Sequence, residues 1–223
     1  MTTKAQRSRG TPRRRTDAGR GGAGTSRTPL LIIGGILVLG VVAALAALFL
    51  SSPTTAEPAE NPVEVTGEAL PPLTTAAEDP ALGMQVPALS GVGLDGEPLR
   101  IGPDDGPVAI VILAHWCPHC QAELPRLVDW LEANEVPDGV QLVGLSTGID
   151  PARPNYPPSA WFEREGWTQP TLVDDASFTG LQALGTNSFP AFVTVDADGA
   201  VRARVTGEIP VEQFAALLDD IAP

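Results

Sequence analysis

Two sulfur atoms carry the chemistry that this sequence can do. Cys117 and Cys120 are the only cysteines among 223 residues, and they stand close together in Trp116-Cys-Pro-His-Cys120. The run from Val108 to Leu113 before them is apolar and rich in β-branched residues, so it reads as a buried strand. The run after them sets Leu124, Leu127, Val128 and Leu131 at helical spacing. The Cys-x-x-Cys pair therefore lies where a strand ends and a helix begins. There the first thiol faces unpaired backbone N–H groups and the positive end of the helix dipole. Both favour thiolate over thiol, which a redox-active cysteine needs.

Neighbouring residues add to this chemistry. His119 stands between the cysteines, where an imidazolium would stabilise the Cys117 thiolate and so the reduced form. The plainer reading makes it an exposed polar side chain. Glu123 follows Cys120 by three residues and shares its side of the helix. A partly desolvated carboxyl there could move protons to or from Cys120. Its plainer reading is an acid favoured near a helix N-terminus by the dipole. His115 reads as a solvated loop residue rather than a ligand. An inert disulfide is the structural alternative for the cysteines, but so short a ring gains little loop entropy. A zinc site would need a second Cys/His pair, which the chain lacks, so no metal is assigned.

The elements that must position these groups follow from periodicity. Residues 86–92 and 98–101 flank Leu94-Asp-Gly-Glu97 and read as a hairpin. Strand 108–114, helix 118–134 and strand 141–146 imply a right-handed parallel crossover. Pro125 interrupts the helical pattern, where it removes a hydrogen bond and should bend the helix. A short helix at 159–165, a strand at 171–173 and a helix at 176–184 come next. Strands 191–195 and 201–205 flank Asp196-Ala-Asp-Gly199 as a second hairpin. A helix over 210–221 closes the chain, with Pro210 near its first turn.

Charge is sharply segregated. Residues 1–28 carry eight Lys and Arg against one Asp, whereas the remainder carries six Arg and 26 acids. Between these regions, Leu30 to Leu50 is 21 residues without a charge. As a helix that run would reach about 31 Å, close to the hydrocarbon thickness of a bilayer. The basic side predicts a cytoplasmic N-terminus. The reading is a 1–28 cytoplasmic tail, a 29–50 transmembrane helix serving as an uncleaved signal-anchor, a 51–83 linker and a folded 84–223 domain outside the cell membrane. A cleaved signal peptide is the competing reading, with a mediocre site at Thr54-Thr-Ala56. Either sends the cysteines to a compartment where disulfides persist. The basic tail is read as topological, so no nucleic-acid partner is assigned. Residues 51–83 are dominated by Pro, Thr, Ala and Glu and read as a solvated tether.

From residue 84 to the end, the chain resembles the membrane-anchored, thioredoxin-like TlpA/ResA-type thiol–disulfide oxidoreductases of bacteria. Four features carry the resemblance, in order. They are Gln85-Val-Pro-Ala-Leu-Ser90 with Leu94-Asp-Gly96, then Trp116-Cys-Pro-His-Cys120, then Glu123-Leu-Pro125, then Phe189-Pro-Ala-Phe-Val-Thr-Val-Asp196 with Asp198-Gly199. The resemblance implies an α/β thioredoxin-like fold, a central mixed sheet flanked by helices, with an N-terminal hairpin. It implies Cys117 as helix N-cap and nucleophile, Cys120 as the resolving thiol of the redox-active pair, and Glu123 as acid/base. It implies a cis peptide between Phe189 and Pro190 beside Cys117, which leaves the residue 189 backbone free to pair with an extended substrate. Val111 stands where thioredoxin itself has a buried aspartate, which makes Glu123 the better proton carrier.

The implied activity needs no cofactor. Its partners would be protein thiols and disulfides, plus a membrane redox partner that recycles the cysteines. The architecture resembles reductases that serve cytochrome c biogenesis, whereas Pro118-His119 resembles the dipeptide of the oxidant DsbA, so the direction is open. A copper-handling module using Cys117, Cys120 and His119 is the alternative from another class, because these ligands suit Cu(I). No Met-rich or distal His partner accompanies them. Nothing resembles a peroxidatic cysteine motif.

Overall fold

The computed structural model describes residues 62–74 and 78–223. The basic tail, the apolar span at 29–50 and the first part of the expected tether lie outside the described residues. Among the described residues, no helix is long and apolar enough to cross a membrane.

The framework is set by one strand. β4 (Val108–Leu113) is buried along its whole length. A strand buried on both faces needs a layer of structure on each side. It pairs in parallel with β5 (Gln141–Ser146), which pairs in parallel with β6 (Thr171–Val173). On its other side it pairs antiparallel with β7 (Ala191–Val195), which pairs antiparallel with β8 (Val201–Thr206). The sheet order is β6-β5-β4-β7-β8. This is the mixed sheet expected from the sequence.

Side chains alternate across β4 and divide the core in two. Ile110 and Ile112 join Val143, Leu145, Val193 and Val195 on one face. That face packs on Leu89 and Ile101 of the hairpin β2 (Ala88–Val92) and β3 (Pro98–Ile101), and on Leu181 of α3 (Thr179–Ala183). Ala109, Val111 and Leu113 join the opposite cluster. There α1 (Pro118–Ala133) supplies Leu124 and Leu127, α2 (Pro158–Arg164) supplies Trp161 and Phe162, and α4 (Val211–Ile221) supplies Phe214 and Leu218. Both cysteines belong to this second cluster.

Most expected elements appear within a few residues of their predicted ends. The helix predicted from residue 176 begins later, at Thr179. Asp175 Oδ1 accepts the Ser177 and Thr179 N–H groups at 2.9 and 3.2 Å, and Phe178 adopts left-handed φ of 59°. These side-chain bonds hold 175–178 as a turn.

The larger difference concerns the tether, expected over 51–83. Its described part is built into the domain. Residues Glu64–Thr66 form β1, antiparallel to β2. Val63, Leu70 and Ala81 are buried. Leu70 N–H donates to Ala183 O at 2.9 Å and Leu73 N–H to Gly185 O at 2.8 Å. Asp79 and Arg204 form a buried ion pair. Arg204 Nε donates to Asp79 Oδ2 at 2.9 Å, Nη2 donates to Oδ1, and Nη1 donates to the Pro71 and Leu184 carbonyls, each at 2.9 Å. Gly185 is needed beside this clasp: its φ is 66°, and a Cβ there would collide with Arg204 Nη1 and Pro71 O. The domain therefore begins before residue 84. Composition hid this because the segment has few bulky apolar residues, and the fold uses those few at isolated points.

Burial pushes the Asp79 carboxyl up, but Arg204 and the Ala81 N–H outweigh it and hold Asp79 below the usual carboxylate range. Asp79→Ala leaves a buried guanidinium without its carboxylate, and we predict a loss of about 3–5 kcal/mol in urea denaturation. Asp79→Leu combined with Arg204→Met should recover most of it. A loss below about 1 kcal/mol for Asp79→Ala would show the clasp to be dispensable.

Candidate active site

The site forms where β4 stops. Ala114, His115 and Trp116 turn the chain, with Cys117 N–H donating to Ala114 O at 3.0 Å. Cys117 is the N-cap of α1, in extended conformation, and its carbonyl accepts the first helical bond from Gln121 at 3.0 Å. Pro118 fills the first helical position, where a missing N–H does no harm. The helix continues through Pro125 to Ala133.

The two thiols occupy different surroundings. Cys120 is fully buried one turn into α1, and the Ala114 N–H points at its sulfur at 3.4 Å. Burial pushes the Cys120 thiol far above the ordinary range, and the Ala114 N–H offsets only part of this. Cys117 lies nearer the surface, although only 6% exposed. Its thiol donates to the carbonyl of Phe189 at 3.6 Å. The Phe189–Pro190 peptide is cis. The expected free backbone at residue 189 is thus occupied in the reduced state by the Cys117 thiol itself. Phe189 also packs edge-on against Trp116, with ring centroids 5.5 Å apart.

Glu123 is wholly buried, beneath the start of α1. Its Oε1 accepts the Ile209 N–H at 3.4 Å and its Oε2 accepts from Arg126 Nη2. Burial pushes its carboxyl above the usual range, against the pull of Arg126 and Ile209. The carboxyl lies one turn beyond Cys120 on α1, close enough that its negative charge would push the Cys120 thiol up further. His119 is exposed, and its Nδ1 bonds Glu208 Oε1 at 2.7 Å rather than the Cys117 sulfur.

His115 differs from its expected role as a solvated loop residue: it is fully buried. Nδ1–H donates to Pro154 O at 2.7 Å, and Nε2 accepts the Asp150 N–H at 3.3 Å. A carbonyl can only accept and an amide N–H can only donate, so these partners fix one neutral tautomer. Burial holds the imidazole pKa below its ordinary value, against the Pro154 carbonyl and Asp150. Asn155 Nδ2 and Gln121 Nε2 donate to the His115 carbonyl at 3.1 and 3.3 Å. Trp116 Nε1 donates to Gly148 O at 2.6 Å, and the Arg153 guanidinium lies 4.6 Å from the Trp116 ring centroid. Trp116, Arg126 and Glu208 were not singled out from sequence. Arg126 had a signal, three residues after an acid on one helix. Glu208 had none, being 85 residues from Glu123. Among the described residues, no group of three or more His, Cys, Asp and Glu is disposed to hold a metal ion.

Residues 99–222 match the family model of the thioredoxin-like domain. The chain belongs to that family. A curated relative, the thiol-disulfide oxidoreductase ResA of Geobacillus thermodenitrificans, is 26% identical over 108 residues, covering 48% of this chain and 59% of that protein. The chain thus matches less than two thirds of that relative's length. Among solved structures, a thiol:disulfide interchange protein of Chlorobium tepidum aligns with a TM-score of 0.52 at 21% identity, covering 62% of this chain and 96% of the other. The thioredoxin domain of a thiol-disulfide oxidoreductase from Bacteroides vulgatus aligns with a TM-score of 0.51 at 19% identity, covering 64% and 99%. These two likenesses are of fold, and they agree with the thioredoxin-like fold expected from the sequence.

The buried Glu123 gives a stability prediction. Its folded pKa is raised, so its contribution is full below the ordinary Glu pKa and is lost as pH rises through the folded value. Wild type should therefore weaken relative to Glu123→Gln between pH 4 and pH 8, by about 1.4 kcal/mol for each unit of upward shift. Urea midpoints of the two reduced proteins across that range test this. Parallel curves would mean that Glu123 titrates as an ordinary surface acid.

Proposed function

We propose that this chain is a membrane-tethered, extracytoplasmic thiol–disulfide oxidoreductase of the TlpA/ResA type, acting on protein disulfides and thiols. The observation that carries the reading is the unequal burial of the two sulfurs at one helix start. Cys117 caps α1 against the cis-Pro190 loop, and Cys120 is sealed beneath it beside Glu123. The named activity of the ResA relative supports the same reading.

The reaction proceeds in two displacements. The Cys117 thiolate attacks one sulfur of a substrate disulfide, forms a mixed disulfide, and expels the other substrate sulfur as thiolate. Sulfur that has become part of a disulfide no longer donates a proton, so the Phe189 carbonyl is released to accept a backbone N–H of the extended substrate. Cys120 then loses its proton to Glu123 and attacks Cys117 Sγ. The Cys117–Cys120 disulfide forms, and the second substrate sulfur leaves. Two electrons have passed to the substrate, and the reverse sequence oxidises it. Net direction follows from the reduction potential of the pair against its membrane partner. The copper-handling alternative would rest on the two thiols, because its nitrogen ligand, His119, is engaged by Glu208.

The tether is argued from the charge-free run at residues 30–50 after a strongly basic tail. We predict that protease applied to intact cells removes the domain. Protection of the domain would reverse the topology, and a soluble product beginning near Glu57 would mean cleavage instead of anchoring. The chemistry has its own test. Cys120→Ser should accumulate mixed disulfides with cellular proteins, because attack persists without release, and Cys117→Ser should accumulate none. The opposite pattern would exchange the two roles.

A further inference from the structure

Four ionisable side chains are linked in series from the surface to the buried acid. His119 Nδ1 lies 2.7 Å from Glu208 Oε1. The other oxygen of Glu208 accepts from Arg126 Nη2 at 3.0 Å, and the same nitrogen donates to Glu123 Oε2. Side-chain exposure is 72% at His119, 33% at Glu208, 43% at Arg126 and zero at Glu123, so the line runs from solvent through two half-exposed groups to the core. The line joins two elements distant in sequence. Glu208 sits in the loop between β8 and α4, and the N–H of its neighbour Ile209 donates to Glu123 Oε1.

We propose that Arg126 and Glu208 are positioning residues that carry the charge state of His119 to Glu123, and so govern when Cys120 can be deprotonated. This rests on the exchange reading above. Arg126 Nη2 gives one N–H to each of two carboxylates, and its single positive charge is shared between them, so the charge balancing Glu208 sets how much of it is available to Glu123. A protonated His119 satisfies Glu208 and leaves Arg126 to hold Glu123 as carboxylate, ready to take the Cys120 proton. A neutral His119 leaves Glu208 unbalanced, and Glu208 draws Arg126 away. Glu123 then retains its proton and cannot act as base. When Glu123 does receive the Cys120 proton, the negative charge moves to the Cys120 sulfur and then, on attack at Cys117, to the departing substrate sulfur, while the positive charge of Arg126 remains balanced by Glu208.

Among the described residues, the titratable and charged groups that bear on Glu123 are Arg126 on its own helix, Glu208 on the β8–α4 loop and Cys120 one turn before it. The strand residues of that buried cluster, Ala109, Val111, Leu113 and Phe192, and Phe214 of α4, are apolar.

The test uses the full chain in detergent, whose only two thiols are Cys117 and Cys120. A nitrobenzoate disulfide reagent releases one coloured thiolate when Cys117 attacks and a second when Cys120 displaces the reagent from Cys117. The pH midpoint of the second release reports Glu123. Arg126→Gln should move that midpoint up by about one unit, because a cation beside the carboxylate is lost. Glu208→Gln should move it down, because a like charge is removed and Arg126 is freed for Glu123. His119→Ala should move it up, and should have no effect in the Glu208→Gln background.

Midpoints that stay fixed, or that shift the same way for Arg126→Gln and Glu208→Gln, would overturn the proposal. So would a His119→Ala shift of full size in the absence of Glu208. Should Arg126→Gln fail to fold, the Glu208→Gln and His119→Ala pair decides alone. Failure of the exchange reading would look different: Cys120→Ser would still release the second thiolate.

Discussion

A thiol sealed at the start of α1 is the constraint around which the site is arranged. In the proposed exchange Cys120 must become a thiolate, yet burial opposes any charge on it. Two polar groups bear on the sulfur, one from each side along the chain. The Ala114 N–H faces the sulfur from the turn before the helix, and the Glu123 carboxyl waits one turn beyond it. Glu123 is itself disfavoured as an anion by burial, and Arg126 and the Ile209 N–H oppose this; as the proposed base it depends on them. Each buried polar group thus requires the next, until the series reaches solvent at His119.

The opposite face of the sheet solves a packing problem rather than a chemical one. β4 is buried on both faces, so the layer away from the cysteines must be covered as fully as the one that holds them. The hairpin β2–β3 and α3 supply most of that cover. The segment before the hairpin completes it, through β1, Leu70 and the Asp79–Arg204 clasp. Arg204 belongs to β8, four residues before Glu208. The strand that anchors the N-terminal segment therefore also leads into the loop that reaches the active site. Firm placement of β8 fixes where Glu208 and Ile209 stand relative to α1.

Legibility in the sequence followed the range of the interactions. The β4–α1 junction was readable because its signals are local: a β-branched run, two cysteines, then helical spacing. The order of strands and helices was readable for the same reason. The cis Phe189–Pro190 loop came from resemblance, since nothing in the residue types by themselves requires it beside Cys117. The clasp was not readable, because Asp79 and Arg204 are 125 residues apart and the segment carrying Asp79 has the composition of a tether. Glu208 was hidden likewise. His115 was misread because a loop histidine beside an exposed motif looks solvated. Only the returning 150–155 segment, contributed after β5, shows that it is enclosed.

The two histidines divide the labour around the cysteines by their burial. His115 ends the β4 turn, and its ring is closed between the Pro154 carbonyl and the Asp150 N–H as one neutral tautomer. A charged imidazolium would lose the Asp150 bond, because both ring nitrogens would then be donors. Through His115 the segment after β5 is tied to the turn that aims Cys117. Trp116 adds a second tie through Gly148, and the Arg153 guanidinium covers its ring. Residues 114–117 are thus held from two sides, by the helix they begin and by a segment that returns from more than 30 residues away. That hold keeps the Cys117 sulfur within reach of the Phe189 carbonyl at 3.6 Å while α1 carries Cys120 beneath it. His119, four residues on, meets solvent and the Glu208 carboxylate instead. The turn is closed around a buried neutral histidine, whereas the line of side chains on α1 begins at an exposed one.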